Sequence, residues 1–169
     1  MLDVRSPIGV DVRFERNGVT LSEAAGFTLT QVAGEEKMLK KSFGKLPAWV
    51  GLVVEHDGRT LFRIGEKQFW TLGEPPAASE GLYITPLSSG RTRILLEGPR
   101  AREVLAACAL IDFSPRAIKP GQFVMTGIHH TPATIHCISE NSFHLYTVRT
   151  FSLNLWEWLC DVAGGLDHA

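Results

Sequence analysis

The sequence predicts an α+β protein in which one strand–helix–hairpin unit is used twice, with antiparallel sheet on one side and helices packed on it. Two internal matches and one ordering rule carry that prediction. EAAGFTLTQVAG (residues 23–34) lies on LSSGRTRILLEG (87–98) without a gap, and each is followed by a helical stretch. TLFRIGEKQFWTL (60–72) lies on TIHCISENSFHLY (134–146), again without a gap. Strands in runs broken by single helices point to antiparallel sheet, whereas strict strand–helix alternation would point to a parallel one.

In the first match, Gly26 and Gly90 fall in turns, Thr28 and Thr92 open strands, and Gly34 and Gly98 close them. EEKMLKKSFG (35–44) and PRAREVLAACAL (99–110) are the helices that follow. Pro99 is expected in the first turn, where its missing N–H would have no intrahelical acceptor. Ala101, Val104, Leu105, Cys108 and Ile111 form one apolar face. In the second match, Thr60/Thr134, Ile64/Ile138, Glu66/Glu140 and Phe69/Phe143 agree. The reversals are expected at Gly65-Glu66 and Glu140-Asn141. Pro75-Pro76 lies between the copies, and the second copy carries a longer stretch before its hairpin, within SPRAIKPGQFVMTGIHH (114–130). The expectation is a single domain over 1–169 with repeat halves 20–74 and 82–163.

RTFSLNLWEWLCDV (149–162) predicts a C-terminal helix with too much apolar surface. At about 100° per residue, Trp158, Phe151, Val162, Leu155, Leu159, Trp156, Cys160 and Leu153 span roughly 220°, broken only by Ser152. A helix on one core needs a stripe of about 100° or somewhat more. Trp156 and Trp158 project about 200° apart, so one core cannot take both. Tryptophan removes a large apolar area from water in one residue and is enriched at interface hot spots. Arg149, Phe151, Leu155, Trp156 and Trp158 are therefore the candidate partner interface, with Arg149 placed either for a bidentate contact across the boundary or for a local salt bridge. Trp49 and Trp70 are expected in the core.

Bulk composition excludes several classes of function. The chain has 169 residues, 44% hydrophobic and 21% charged, with a net charge of −1. No dense Lys/Arg run favours nucleic acid. Lys37, Lys40, Lys41 and Lys45 read as a solvated helix face balanced by Glu35 and Glu36. No apolar run approaches a membrane span, and the first residues have no apolar core of a signal peptide. Cys108, Cys137 and Cys160 are odd in number and widely spaced, as free thiols of a reducing compartment are, so the cytoplasm is expected.

Sites of chemistry are sparse. His129-His130 with His136 lacks a carboxylate or cysteine at ligand spacing, and adjacent strand histidines point to opposite faces. The strand-to-helix junctions offer one glycine each, Gly34 and Gly98, too few for a dinucleotide cradle. No catalytic, cofactor-binding or metal residue is assigned. Gly164-Gly165 reads as a helix end.

Several short motifs, in their order, resemble one family. They are Ser88-Ser89-Gly90-Arg91-Thr92, Gly98-Pro99-Arg100-Ala101, Val104-Leu105, Asp112, Pro115, Pro120-Gly121 and Thr126. Arg149-Thr150-Phe151, Leu155-Trp156, Trp158-Leu159 and Asp161 follow. In the first half, Leu29-Thr30-Gln31-Val32-Ala33-Gly34, Phe62-Arg63-Ile64-Gly65 and Gln68-Phe69-Trp70 fit as well. Over about residues 20–163 the chain resembles the gamma subunit of heterotetrameric sarcosine oxidase, itself similar to part of the folate-binding aminomethyltransferase (T-protein). The resemblance implies a T-protein-like fold and a non-catalytic structural subunit. It implies a complex that demethylates sarcosine oxidatively to glycine, passing the one-carbon unit to tetrahydrofolate and electrons to oxygen. It places FAD, FMN, NAD and tetrahydrofolate in partner subunits and packs this chain on the large (alpha) subunit. The folate-transferring relatives carry an aspartate pair in the second hairpin, where TPATIHCI (131–138) has no carboxylate. A stand-alone folate-binding or one-carbon transfer protein and a homodimer through the Trp face are the competing readings.

Overall fold

The computed structural model describes residues 6–9 and 12–166. In chain order the elements are β1 (Arg13–Arg16), β2 (Val19–Glu23), β3 (Leu29–Gly34), α1 (Glu36–Phe43), β4 (Val53–His56), β5 (Arg59–Arg63), β6 (Gln68–Leu72), β7 (Leu82–Pro86), β8 (Arg91–Glu97), α2 (Ala101–Cys108), β9 (Gln122–Ile128), β10 (Thr131–Ser139), β11 (Ser142–Val148) and α3 (Ser152–Gly165). They form two antiparallel sheets, β1-β2-β8-β11-β10-β9 and β4-β5-β6-β3-β7. The chain divides into two compact units, one within 1–25, 90–120 and 124–169, the other 26–89 with 121–123.

In the smaller unit, Leu39 and Phe43 lie one turn apart on α1 and pack with Val32, Leu61 and Phe69 of the sheet. Gly44, at a φ of 69°, ends the helix and donates its N–H to Lys40 O. Trp70 is buried, its indole N–H donating to Gln31 Oε1 at 3.2 Å. Trp49 departs from expectation and is 56% exposed. It lies between α1 and β4, and the loop turns it outward. The charge balance on α1 also differs. Glu36 pairs with Lys40 (2.6 Å) and Glu35 with Lys67, just before β6 (2.8 Å), and among the described residues no ion pair engages Lys37, Lys41 or Lys45.

In the larger unit, Ala101, Val104 and Leu105 of α2 and Leu155, Leu159 and Ala163 of α3 share one core with sheet residues including Leu21, Leu96, Ile135 and Phe143. Pro99 sits outside the helix. Arg100 is the N-cap and Ala101 donates its N–H to Gly98 O, so a turn precedes the first helical residue.

The two units repeat one topology. In the smaller, Val32 pairs with Phe69 and Phe62 with Trp70. In the larger, Leu96 pairs with Phe143 and His136 with His144, the positions aligned with these in sequence. Gly34 and Gly98 are matched by the same constraint. A Cβ on Gly34 would lie 2.5 Å from Gly81 O, and one on Gly98 2.1 Å from Gly18 O, so only glycine fits either junction.

Gly18 and Gly81 lead into β2 and β7, which complete the two sheets crosswise. β2, from the first half of the chain, pairs with β8 of the second; β7, at the start of the second half, pairs with β3 of the first. The compact units therefore do not follow the sequence halves 20–74 and 82–163.

Candidate interface at the C-terminal helix

β11 runs into a single 3-10 turn (Arg149–Phe151) and then α3. Ser152, the one polar interruption of the apolar arc, is fully buried. Its hydroxyl lies 2.6 Å from that of Thr92 and donates to Arg149 O at 2.8 Å, which satisfies the group and fixes where the helix begins. At the other end Asn17 Nδ2 donates to Ala163 O (3.0 Å) and Gly164 O (3.2 Å), and Arg100 Nη2 donates to Leu166 O (3.1 Å). Carbonyls that a helix C-terminus leaves without partners are met by side chains.

Leu155, Trp156, Leu159 and Ala163 face inward; Trp156 is 6% exposed. Trp158, on the opposite flank, is half-buried. Its indole stacks on His129, with ring centroids 3.9 Å apart and planes 12° from parallel. His129 and His130 are not strand residues on opposite faces. They form the two-residue turn joining β9 to β10, both left-handed, at φ 43° and 66°. Turns of this kind usually take Asn-Gly, and two histidines hold it against a steric cost. The second indole is thus covered on one face by the chain's own turn and stays half-buried. The most exposed apolar residue of α3 is Leu153 (46%), with Phe151 (47%) just before it, while Trp158, Cys160 and Val162 are half-buried. Of the sequence candidates, Phe151 lies outside, Arg149 and Trp158 are half-buried, and Leu155 and Trp156 belong to the chain's own core.

The thiols are unsuited to nucleophilic chemistry. Burial pushes Cys108 up to about 11, with the Trp158 indole working the other way. Burial, then the Asp161 and Glu157 carboxylates, push Cys160 up to about 11. Burial also raises Cys137, against the pull of Arg102. A thiol, unlike a thiolate, is a poor nucleophile.

A second cluster lies on one face of the six-stranded sheet: Arg93 faces Tyr146 across β8 and β11, and His136 faces His144 across β10 and β11. The imidazole centroids are 6.3 Å apart, edge to face. Burial lowers both histidines to about 4, helped at His136 by His144 and at His144 by Arg93. Burial raises Tyr146 to about 12, against Arg93. At neutral pH these rings are uncharged. Only His136 is singled out by the sequence; the alternation of His144 and Tyr146 along β11 is the signal for the rest. Among the described residues no group of three or more His, Cys, Asp or Glu is placed to hold a metal ion, and none of the helices is long and apolar enough to cross a membrane.

No protein-family model and no curated protein matches the chain. A chain of the heterotetrameric sarcosine oxidase from Corynebacterium sp. U-96, solved in complex with pyrrole 2-carboxylate, superposes with a TM-score of 0.83. It is 25% identical, over 98% of this chain and 97% of that one. The fold is that of a sarcosine oxidase chain. The glycine cleavage system aminomethyltransferase T from Bartonella henselae shares the fold at a TM-score of 0.61 and 18% identity; 85% of this chain spans 46% of that one. The resemblance to heterotetrameric sarcosine oxidase, and through it to the aminomethyltransferase fold, holds along almost the whole chain.

Proposed function

We propose that the chain is a non-catalytic structural subunit of a sarcosine oxidase-type complex, which demethylates sarcosine oxidatively to glycine with folate and oxygen. The observation that carries this reading is the near-complete mutual coverage with a chain of a heterotetrameric oxidase. FAD, FMN, NAD and tetrahydrofolate would be held by the larger subunits. The chain packs on the large subunit through the turn into α3, with Arg149, Phe151 and Trp158 at the contact and Leu155 and Trp156 supporting it from behind. Fixing a neighbouring face matters because small misplacements at a reacting centre cost rate. The two halves, 20–74 and 82–163, are read as copies of one unit within a single 1–169 domain, and the cytoplasm is the expected location.

Co-expression with the larger subunits tests this. The tagged chain should co-purify with them in fixed ratio, and Phe151→Glu should weaken the association by about tenfold or more. A chain that stays alone, and whose tryptophan fluorescence tetrahydrofolate quenches saturably, would instead be the folate-binding one-carbon transfer protein that the T-protein fold allows. That reading lacks an acidic anchor on β10, whose residues Thr131–Ser139 include no carboxylate.

A further inference from the structure

Two departures from sequence expectation, the outward Trp49 and the unmatched lysines of α1, meet in one stretch of the smaller unit. Trp49 and Val50 are each 56% exposed. Their loop is nevertheless tied down. Arg63 Nη1 donates to Pro47 O (3.1 Å) and Ala48 O (3.0 Å), and its Nη2 donates to Glu66 O (3.0 Å). Leu52 N–H donates to Trp49 O (3.2 Å) and Gly51 N–H to Arg63 O (3.1 Å). An indole held outward on a fixed backbone loses little freedom on binding, which suits it as an anchor. The loop leaves directly from α1, which ends at Phe43, with Lys45 in the connection between them. There Lys37 and Lys41 lie one turn apart and Lys45 follows the helix end, all exposed, while Glu35 and Glu36 are engaged by Lys67 and Lys40.

We infer that Lys37, Lys41, Lys45, Trp49 and Val50 form a docking surface for an acidic protein surface with an apolar notch that receives the indole. Resting on the reading of the chain as a subunit, it is a contact additional to the one at α3. Charge complementarity selects the partner: three exposed ammonium groups that no ion pair engages among the described residues, in the same stretch as an exposed indole, fit carboxylates beside an apolar pocket. A polyanion such as nucleic acid would meet a chain of net charge −1 with no further basic run to follow.

The test uses the purified complex of the full chain with its co-expressed larger subunits. Carbodiimide, which joins only lysines and carboxylates already in contact, should link Lys41 or Lys45 to Asp or Glu of another subunit. Trp49→Ala, at an exposed site that leaves the Arg63 carbonyl bonds in place, should weaken assembly about thirtyfold. Lys41→Glu with Lys45→Glu should weaken it and flatten its salt dependence. A complex that assembles normally with these variants, and whose Lys41 and Lys45 acetylate as fast as in the free chain, overturns this inference and leaves the α3 contact standing. Links only to Glu157 or Asp161 of a second copy, or binding of the free chain to phosphatidylglycerol vesicles that Lys41→Glu abolishes, would also overturn it. No complex at all overturns both readings.

Discussion

Arg102 of α2 places its Nη2 3.6 Å from Cys137 Sγ on β10. Cys137 occupies the position that Arg63 holds in the first copy. Arg63 carries its guanidinium 5.7 Å from the Phe69 centroid; Arg102 carries its own 5.1 Å from that of Phe143, the residue equivalent to Phe69. Both copies thus set a guanidinium over the same phenylalanine, one from a strand and the other from a helix. Arg102 also donates to Phe113 O (2.6 Å), Ile118 O (3.2 Å) and Glu140 O (2.9 Å), tying the loop after α2 to the β10–β11 turn.

Arg102→Ala should therefore destabilise the chain by about 2–4 kcal/mol, because the part-buried carbonyls of Phe113 and Ile118 lose their donor and the Phe143 ring its guanidinium. The expected fall in melting temperature is roughly 10 °C for a chain of this size. Arg102→Lys should recover little, since an ammonium cannot fork to several carbonyls. A fall of under about 2 °C for Arg102→Ala would mean that these bonds do not hold the loop to the turn.

Crossed sheets predict that neither half folds alone. Residues 20–74 lack β7 against β3, and 82–163 lack β2 against β8. Each fragment should show little dispersion in an amide NMR spectrum, and mixing the two should restore it. A folded 82–163 fragment would contradict the crossing.

Acid should weaken the protein through His136 and His144. Both are held at about 4 when folded against an ordinary 6.5, so the unfolded chain binds more protons between those values. Stability is complete above about 6.5 and is lost as pH falls to about 4. At about 1.4 kcal/mol per pKa unit, discounted for residual water, each ring contributes roughly 2 kcal/mol. Urea midpoints at pH 7.5 and 5 measure this. His136→Phe, the residue the first copy has at this position, should flatten the difference; an unchanged pH slope would remove His136 from the account.

His129→Ala should expose Trp158 and leave Trp156 buried. Iodide quenching of tryptophan emission should rise, and a Trp158→Phe background should abolish the rise. Equal quenching with and without His129 would mean that the stack is not what shields the indole.

Asn17→Ala should loosen the end of α3. The left-handed φ of 54° suits asparagine, and its amide caps Ala163 O and Gly164 O. Asn17→Gly keeps the backbone but loses the cap, so the gap between the two variants isolates strain from capping. Hydrogen exchange across 160–166 should quicken in both, by about 1 kcal/mol for the cap alone.

What the sequence discloses is what neighbouring residues decide. Phe69 and Phe143 align because hairpin register is local, and the reversals at Gly65-Glu66 and Glu140-Asn141 follow from turn chemistry. Ser152 stands out on the helical wheel for the same reason, and so does the opposition of Trp156 and Trp158. The wheel cannot name what covers Trp158, because the β9–β10 turn brings His129 to it from far along the chain. Crossed pairing of Leu21 with Leu96 and of Ile84 with Val32 is equally hidden, since each strand's alternation is the same whichever partner it finds. Trp49 turns outward because distant Arg63 grips the carbonyls beside it. Lys67, a remote residue, takes Glu35 and so unbalances α1.

During synthesis Leu21 reaches the exit tunnel long before Leu96, which must lie beside it. At about 5–20 residues per second, β2 waits several seconds on the ribosome with its apolar edge unmatched. The smaller sheet, whose last strand is β7, is complete before β8 has been made. A strand made early is thus among the last to settle, and until β8 arrives Val19 and Leu21 lack the neighbours that bury them.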